Sequence, residues 1–285
     1  MSKLKIAIQK SGRLSENSLR LIQECGIKIP NGGGKLITES TNFPVEILFL
    51  RDDDIPQYVE QKVAHIGIIG ENVLIETRKN LNVIQKLGFS SCRLSLAVAK
   101  EVEYSDLNYF NGKKVATSYP NILKDYFREN NINATIEFIS GSVEIATGIG
   151  LADGICDIVS SGSTLFSNGL KEVERVLSSQ AVLVASENLE SQKQQILEKL
   201  LFRIRSVQRA KESKYILLNA PKKNLDKIVN ILPGMNSPTI LPLAQEGWSS
   251  LHSVISEDKF WDIIEELKAA GAEGILVVPI EKMIL

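Results

Sequence analysis

The chain has 285 residues, 44% of them hydrophobic and 24% charged, with a formal net charge of −1. That length asks for more than one core, the composition is that of a soluble globular enzyme, and the balanced charge argues against a general nucleic-acid or membrane-surface protein. Three widely spaced cysteines (Cys25, Cys92, Cys156) fit neither a disulfide framework nor a zinc site, and two histidines (His65, His252) leave little for a His-based metal centre.

The N-terminus runs straight into a strand pattern over residues 4–8, with no apolar signal core and no membrane-length run, which predicts a cytoplasmic protein. Gln9-Lys-Ser-Gly-Arg13 is then a loop, and Ser15 is placed to cap a helix over 16–25 that Gly26 stops. Lys10 and Arg13 therefore follow the C-terminal end of the first strand, the edge at which open α/β sheets bind ligands. Two cations beside a glycine suit a polyanion; solvated surface charge is the plainer alternative. Asn31-Gly-Gly-Gly34 reads as a flexible turn. A strand over 45–50 ends at Arg51-Asp-Asp-Asp54, and Asp54-Ile-Pro56 looks like a helix start with Ile55, Val59 and Val63 on one face. Three adjacent aspartates invite a metal, but consecutive residues do not converge on one ion, so a cap and solvated edge is preferred.

His65-Ile-Gly-Ile-Ile-Gly70 is a buried strand whose His65 reads as structural and whose Gly70 permits close approach of a ligand. Arg93 precedes a strand over 94–99, facing a cleft or pairing with an acid. Further strands are expected over 113–117 and 135–139, separated by a helix over 122–129. Ser140-Gly-Ser142 opens a helix over 143–149, with Glu144 in its first turn, either complementing the dipole or facing a ligand.

The run from Asp153 to Gly169 is the most informative. Residues 155–159 read as a short buried strand, residues 160–164 as a turn rich in hydroxyls, and Leu165 as the start of a helix. Strand, turn and helix N-terminus together make an anion site, to which Ser160, Ser161, Ser163 and Thr164 add donors around Gly162. Asp157 at its base can accept bonds from sugar hydroxyls. The alternative is an ordinary capped turn, and no Gly-Lys-Ser/Thr of a Walker loop follows.

Residues up to about 180 thus alternate strands and short helices, which predicts an α/β arrangement of parallel strands, and restarts near 94 and 180 point to two lobes about a cleft. A strand over 181–185 and a long helix over 191–213 follow. The pattern then changes to strand, helix, two strands, helix and strand, over 214–219, 225–232, 239–243, 248–255, 260–270 and 274–279. That is the order βαββαβ of a ferredoxin-like module, with no catalytic cluster and with Trp248 and Trp261 expected in the core.

Several runs taken together resemble a known family. They are Gln9-Lys-Ser-Gly-Arg-Leu-Ser15, Arg51-Asp-Asp-Asp-Ile-Pro56, Gly67-Ile-Ile-Gly-Glu-Asn-Val-Leu74, Cys92-Arg-Leu-Ser-Leu-Ala97, Ala116-Thr-Ser-Tyr-Pro120, Gly141-Ser-Val-Glu144, Gly150-Leu-Ala-Asp153, the turn after Asp157, and Ser237-Pro-Thr-Ile-Leu-Pro-Leu243. In order and spacing the chain resembles the long form of ATP phosphoribosyltransferase, from near its start to its end. The resemblance implies a two-lobed, type II periplasmic-binding-protein-like catalytic core, with residues 1–90 and 180–210 as lobe I and 91–179 as lobe II, and a C-terminal ACT-like regulatory domain over 211–285. It implies transfer of phosphoribosyl from phosphoribosyl pyrophosphate to N1 of ATP, with substrate-bound Mg²⁺ and no dedicated metal residues. Histidine is the implied feedback inhibitor, AMP and ADP are further inhibitors, and a homodimer able to form a hexamer is the implied assembly.

On that basis Lys10, Arg13, Glu144 and Asp157 are the catalytic candidates. Asp157 and residues Ser160, Ser161, Gly162, Ser163, Thr164 and Leu165 are assigned to phosphoribosyl pyrophosphate. Lys10, Arg13, Gly70, Arg93 and Glu144 are assigned to ATP, and Asn219, Ser237 and Thr239 to regulatory histidine. Lys35 is assigned a reach toward a neighbouring subunit's site. The rival readings are a solute-binding or sensor domain of the same fold, a different phosphoribosyltransferase, and a catalytically dead regulatory homologue.

Overall fold

The computed structural model describes residues 3–30, 34–232, 234 and 237–284. The chain forms two compact units, Met1–Leu197 and Glu198–Leu285. The turn expected at Asn31 lies, except for Gly34, outside the described residues.

The first unit begins β1 (Leu4–Gln9), α1 (Arg13–Glu24), β2 (Ile37–Glu39), β3 (Val45–Leu50), α2 (Ile55–Glu60), β4 (Ile66–Gly70), α3 (Glu71–Thr77) and β5 (Asn82–Lys86). It continues with β6 (Cys92–Ala99), β7 (Lys114–Thr117), α4 (Pro120–Glu129), β8 (Thr135–Phe138), β9 (Gly154–Val159), α5 (Ser163–Ser167), β10 (Leu170–Ser179) and β11 (Ala181–Ala185). Two sheets result, in the orders β2-β3-β1-β4-β11-β5 and β10-β6-β9-β7-β8. Each is mixed rather than parallel. β3, β1 and β4 run parallel, as do β8, β7 and β9, but β11 is antiparallel to β4, and β6 is antiparallel to β9. The chain leaves the first sheet after β5, builds the second, and returns through β11 in the opposite sense.

Three strands escaped the sequence pattern for identifiable reasons, the first being β2, an edge strand of only three residues. β5 is a short, largely exposed edge. β10 carries Lys171, Glu172, Glu174 and Arg175 and has two register shifts against β6, so its in–out alternation breaks twice. The helix expected over 143–149 shrinks to a 3-10 turn, Val143–Ile145, preceded by Ser142 at φ 50° and followed by Gly148 and Gly150. α1 starts at Arg13, so Ser15 is a buried first-turn residue rather than a cap. α2 ends at Glu60, leaving Val63 exposed while Ile55 and Val59 are fully buried.

Packing fixes these elements closely. A Cβ at Gly67 of β4 would stand 2.7 Å from Ile55 Cγ2 and 3.0 Å from Val59 Cγ2, so α2 lies on β4 because residue 67 lacks a side chain. His65 is buried, its Nδ1 accepts the Lys5 N–H at 2.8 Å, and burial lowers its pKa to about 4, which keeps it neutral and structural. Cys25 and Cys156 are buried core thiols.

α6 (Ser191–Lys211) spans the division between the units. The second unit holds β12 (Ser213–Pro221), α7 (Leu225–Ile231), β13 (Thr239–Pro242), β14 (Trp248–Ser256), α8 (Glu257–Ala269) and β15 (Glu273–Pro279). Its sheet, β13-β14-β12-β15, is antiparallel throughout, which is the ferredoxin-like order. Ile216, Leu218, Leu251, Ile228 and Leu267 form the core between sheet and helices. Trp261 is not in it: one step along α8 from Phe260, it is 71% exposed, and Trp248 is half-buried.

Candidate active site

Strand ends bring the first group of predicted residues together. The Lys10 N–H donates to the Leu50 carbonyl at 2.8 Å, which draws the ends of β1 and β3 together and sets exposed Lys10 near Arg51. Gly12, at φ 91°, then turns the chain into α1 so that Arg13 is its first residue. Gly70 closes β4. Arg13 and Gly70 line one cavity of about 390 Å³ together with Gln9, Asn17, Asp52, Asn72, Cys92, Ile158 and Ser160. Gly70 also has an internal reason to be glycine, since the Asn72 amide occupies the place its Cβ would take. That amide accepts the Ser179 hydroxyl at 2.8 Å, joining the start of α3 to β10.

The second group comes from β9 and the turn after it. Asp157 is half-buried, and its Oδ1 accepts the Ile158 N–H at 2.8 Å. Burial, then the nearby Glu144 charge, raise its pKa, while the Ile158 bond opposes them. The Glu144 charge thus reaches Asp157, though more weakly than burial does. Gly162 takes φ 83° and turns the chain into α5, which begins at Ser163, two residues before the expected start. Ser160, Ser161, Ser163 and Thr164 are exposed, while Leu165 is buried and anchors the turn. The Ser161 and Ser163 hydroxyls lie 3.0 Å apart, and the end of α5 is tied down by the Asn168 amide on the Thr164 carbonyl at 2.9 Å. Exposed hydroxyls on a pinned backbone are suited to an anion.

Arg93 is engaged within the protein. Its Nε and Nη2 donate to the two carboxylate oxygens of Glu172, each at 2.5 Å, and its Nη1 reaches the Ser160 carbonyl at 3.3 Å. It therefore holds the start of the turn against β10 and lines a second cavity of about 510 Å³ with Ser160, Arg175 and Ser179.

Five residues of this region were given no site role in the sequence. Glu76 accepts the Asn121 N–H at 2.9 Å and the Ile122 N–H at 3.0 Å, so the end of α3 caps α4 across the two sheets. Tyr119 is half-buried, and its hydroxyl is pushed up by burial and by the charges of Asp157, Asp52, Asp53 and Cys92. Cys92 is half-buried on the cavity wall, its thiol also raised by burial. Asp52 and Asp53 belong to one 3-10 turn but line different cavities. The clue available for Asp52 was its position just beyond β3, at the same edge as Lys10. Among the described residues, no three His, Cys, Asp or Glu side chains converge as a metal cage.

In the second unit, Asn219 of β12 pairs with Ser250, and Thr239 of β13 pairs with His252. Both thereby share the sheet face opposite the helices, while Ser237 is exposed ahead of β13. Between them His252 Nδ1 meets the Tyr215 hydroxyl at 2.8 Å and its Nε2 meets the Ser250 hydroxyl at 3.1 Å.

Comparison with known proteins shows the family of the chain. The family model for ATP phosphoribosyltransferase matches residues 51–206, and that for the HisG C-terminal domain matches residues 210–282. The chain belongs to the ATP phosphoribosyltransferase family. It is 59% identical over 281 residues to the ATP phosphoribosyltransferase of Cytophaga hutchinsonii, covering 99% of this chain and 98% of that one. The protein of the same name from Phocaeicola vulgatus is 57% identical over 282 residues, covering 99% of this chain and all of that one. Among solved structures, a chain described as belonging to the ATP phosphoribosyl transferase (HisG:HisZ) complex of Thermotoga maritima superposes with a TM-score of 0.60 at 28% identity, covering 71% of this chain and 98% of its own. This ATP phosphoribosyltransferase is a pentosyltransferase of the first step of histidine biosynthesis, in a family that uses a divalent metal. No helix among the described residues is long and apolar enough to cross a membrane.

Proposed function

We propose that phosphoribosyl transfer takes place where the two sheets of the first unit face each other, with residues 1–90 and 180–210 acting as one catalytic lobe and 91–179 as the other. One observation carries this placement: Arg13 of α1 and Gly70 of β4, beside the first sheet, and Ile158 of β9 and Ser160 just after it, beside the second, line the same cavity. Backbone N–H groups and hydroxyls of 160–165 bind the 5′-phosphate, and Asp157 binds the ribose hydroxyls. Lys10 and Arg13 meet phosphates of ATP or the departing pyrophosphate, with Gly70, Arg93 and Glu144 along the cleft wall and Arg93 acting mainly by fixing Ser160.

Adenine N1 carries a lone pair at neutral pH, so the reaction needs no strong base. N1 bonds to C1 of the ribose as the C1–oxygen bond breaks and pyrophosphate leaves with the electron pair. The protein then contributes alignment and charge stabilisation. Mg²⁺ would be held mainly by pyrophosphate oxygens and water, as is usual for this ion.

The C-terminal unit, residues 211–285, is the regulatory domain, with histidine held at Asn219, Ser237 and Thr239 and turnover lowered as a result. AMP and ADP compete at the nucleotide site, the protein assembles as a dimer able to form a hexamer, Lys35 extends toward a neighbouring subunit, and the enzyme works in the cytoplasm.

Near-ultraviolet absorbance of N1-substituted adenine follows turnover directly. Asp157→Ala and Thr164→Ala are each expected to lose phosphoribosyl pyrophosphate turnover by at least ~10²-fold while remaining folded, the scale for losing a positioning group. Histidine should inhibit the native enzyme in the same cuvette and inhibit Thr239→Ala far less. Normal turnover in both cleft variants would refute the site assignment.

A further inference from the structure

One buried group of the cleft has no task in the scheme above. Asp52 sits on the 3-10 turn just beyond β3, half-buried, and its Oδ1 is shut away from solvent without a hydrogen-bond partner. An unpaired buried acceptor is costly, and such exceptions mark sites of strain or catalysis. Among the described residues that line the 390 Å³ cavity, Asp52 is the one carboxylate. Facing it are Arg13 on α1, Cys92 on β6, and Ile158 and Ser160 on the far side. Asp53 of the same turn, Tyr119 before α4 and Asp157 on β9 lie within electrostatic reach of this group of residues.

With the ribose over Asp157 and Ser160, the attacking N1 must point at those residues, and this cavity adjoins them. The 6-amino group is the neighbour of N1 on the purine edge, so a group flanking N1 also reads position 6. As N1 gives its lone pair to C1, positive charge spreads over N1, C6 and the 6-amino nitrogen. The amino N–H becomes a stronger donor in the transition state than in bound ATP. A fixed carboxylate accepting that bond lowers the barrier as well as aiding binding.

We propose that Asp52 accepts a hydrogen bond from the adenine 6-amino group, selecting a 6-amino over a 6-oxo purine and stabilising the charge the ring gains on attack. This rests on the substrate placement proposed above. Burial, and secondarily Asp53, lift the Asp52 pKa from 3.8 to about 6. The active form is the carboxylate, so kcat/KM for ATP should fall as pH drops through about 6 in the free enzyme.

The test uses the full-length enzyme with Mg²⁺ and phosphoribosyl pyrophosphate, and inosine triphosphate as a 6-oxo inhibitor probe. Asp52→Asn should lower kcat/KM for ATP by about 10–10²-fold, with part of the loss in kcat, and should strengthen inhibition by inosine triphosphate about tenfold, because an amide can donate to a 6-oxo group. The acid limb near pH 6 should disappear from the ATP profile. Asp52→Glu keeps the acceptor and should retain the preference for ATP at a reduced rate. An unchanged ratio of ATP use to inosine triphosphate inhibition in Asp52→Asn, or a retained acid limb, overturns the proposal. If Asp157→Ala and Thr164→Ala also turn over normally, the substrate placement itself has failed; if only the Asp52 result fails, the placement stands without this role.

Discussion

Removing the charge of Asp52 should make the protein more stable even as it slows the reaction. Burial raises this carboxyl from 3.8 to about 6, with Asp53 as the smaller cause. At 1.36 kcal/mol per pH unit, the ionised form carries a penalty of about 3 kcal/mol at neutral pH, and partial solvent contact trims it to about 2–3 kcal/mol. The sign follows from proton uptake. Between the two pKa values folded Asp52 binds more protons than it does in the unfolded chain, so its contribution to native stability falls as pH rises from about 4 through about 6 and is level above. Asp52→Asn has no such slope. In scanning calorimetry the variant should therefore melt about 5–10 °C above the native protein at pH 7.5, on the scale of 2–4 °C per kcal/mol for a unit of this size, and the gap should close toward pH 4. A variant that melts at or below the native protein at pH 7.5, or a gap that does not change with pH, would refute the reasoning.

Three further perturbations test the frame around the cleft. Glu76→Ala removes both oxygens that cap α4 and should cost about 1–2 kcal/mol in urea unfolding; Glu76→Gln keeps one acceptor and should cost less. Gly67→Ala drives a Cβ into Ile55 Cγ2 and Val59 Cγ2 and should cost about 1–3 kcal/mol by overpacking. Glu172 is held below the usual carboxylate range by its bonds to Arg93 and Ser95, so its stabilisation is present above the unfolded pKa and is lost as pH falls through the folded one. Glu172→Gln should accordingly cost about 1–3 kcal/mol at pH 7, with the difference from the native protein shrinking below about pH 4.5.

The strongly patterned parts of the fold were legible in the sequence because burial writes a period into them. β1, β3, β4 and β9 are apolar runs that end in loops, and the second unit alternates cleanly around Leu218 and Leu251. β10 was not legible, because two register shifts and four charged residues erase its alternation. Nor was strand direction, which depends on the chain's return through β11 rather than on any local property. In the cleft, Asp157 and the turn over 160–164 stood out by residue type, but Asp52 looked like one of three equivalent acids. Its difference from Asp53 is a matter of which way a 3-10 turn aims each side chain, and that is set by packing. The Glu76 cap pairs residues 45 positions apart and has no local signature. Arg93 read either as a cleft residue or as an ion-pair partner; the structure gives it Glu172 and the Ser160 carbonyl at once.

The most direct test of the central claim is a crystal structure with phosphoribosyl pyrophosphate bound. The 5′-phosphate should lie within hydrogen-bond distance of backbone N–H groups and hydroxyls of 161–164, with the ribose hydroxyls on Asp157. A sugar phosphate bound elsewhere, with this turn empty, would contradict the account.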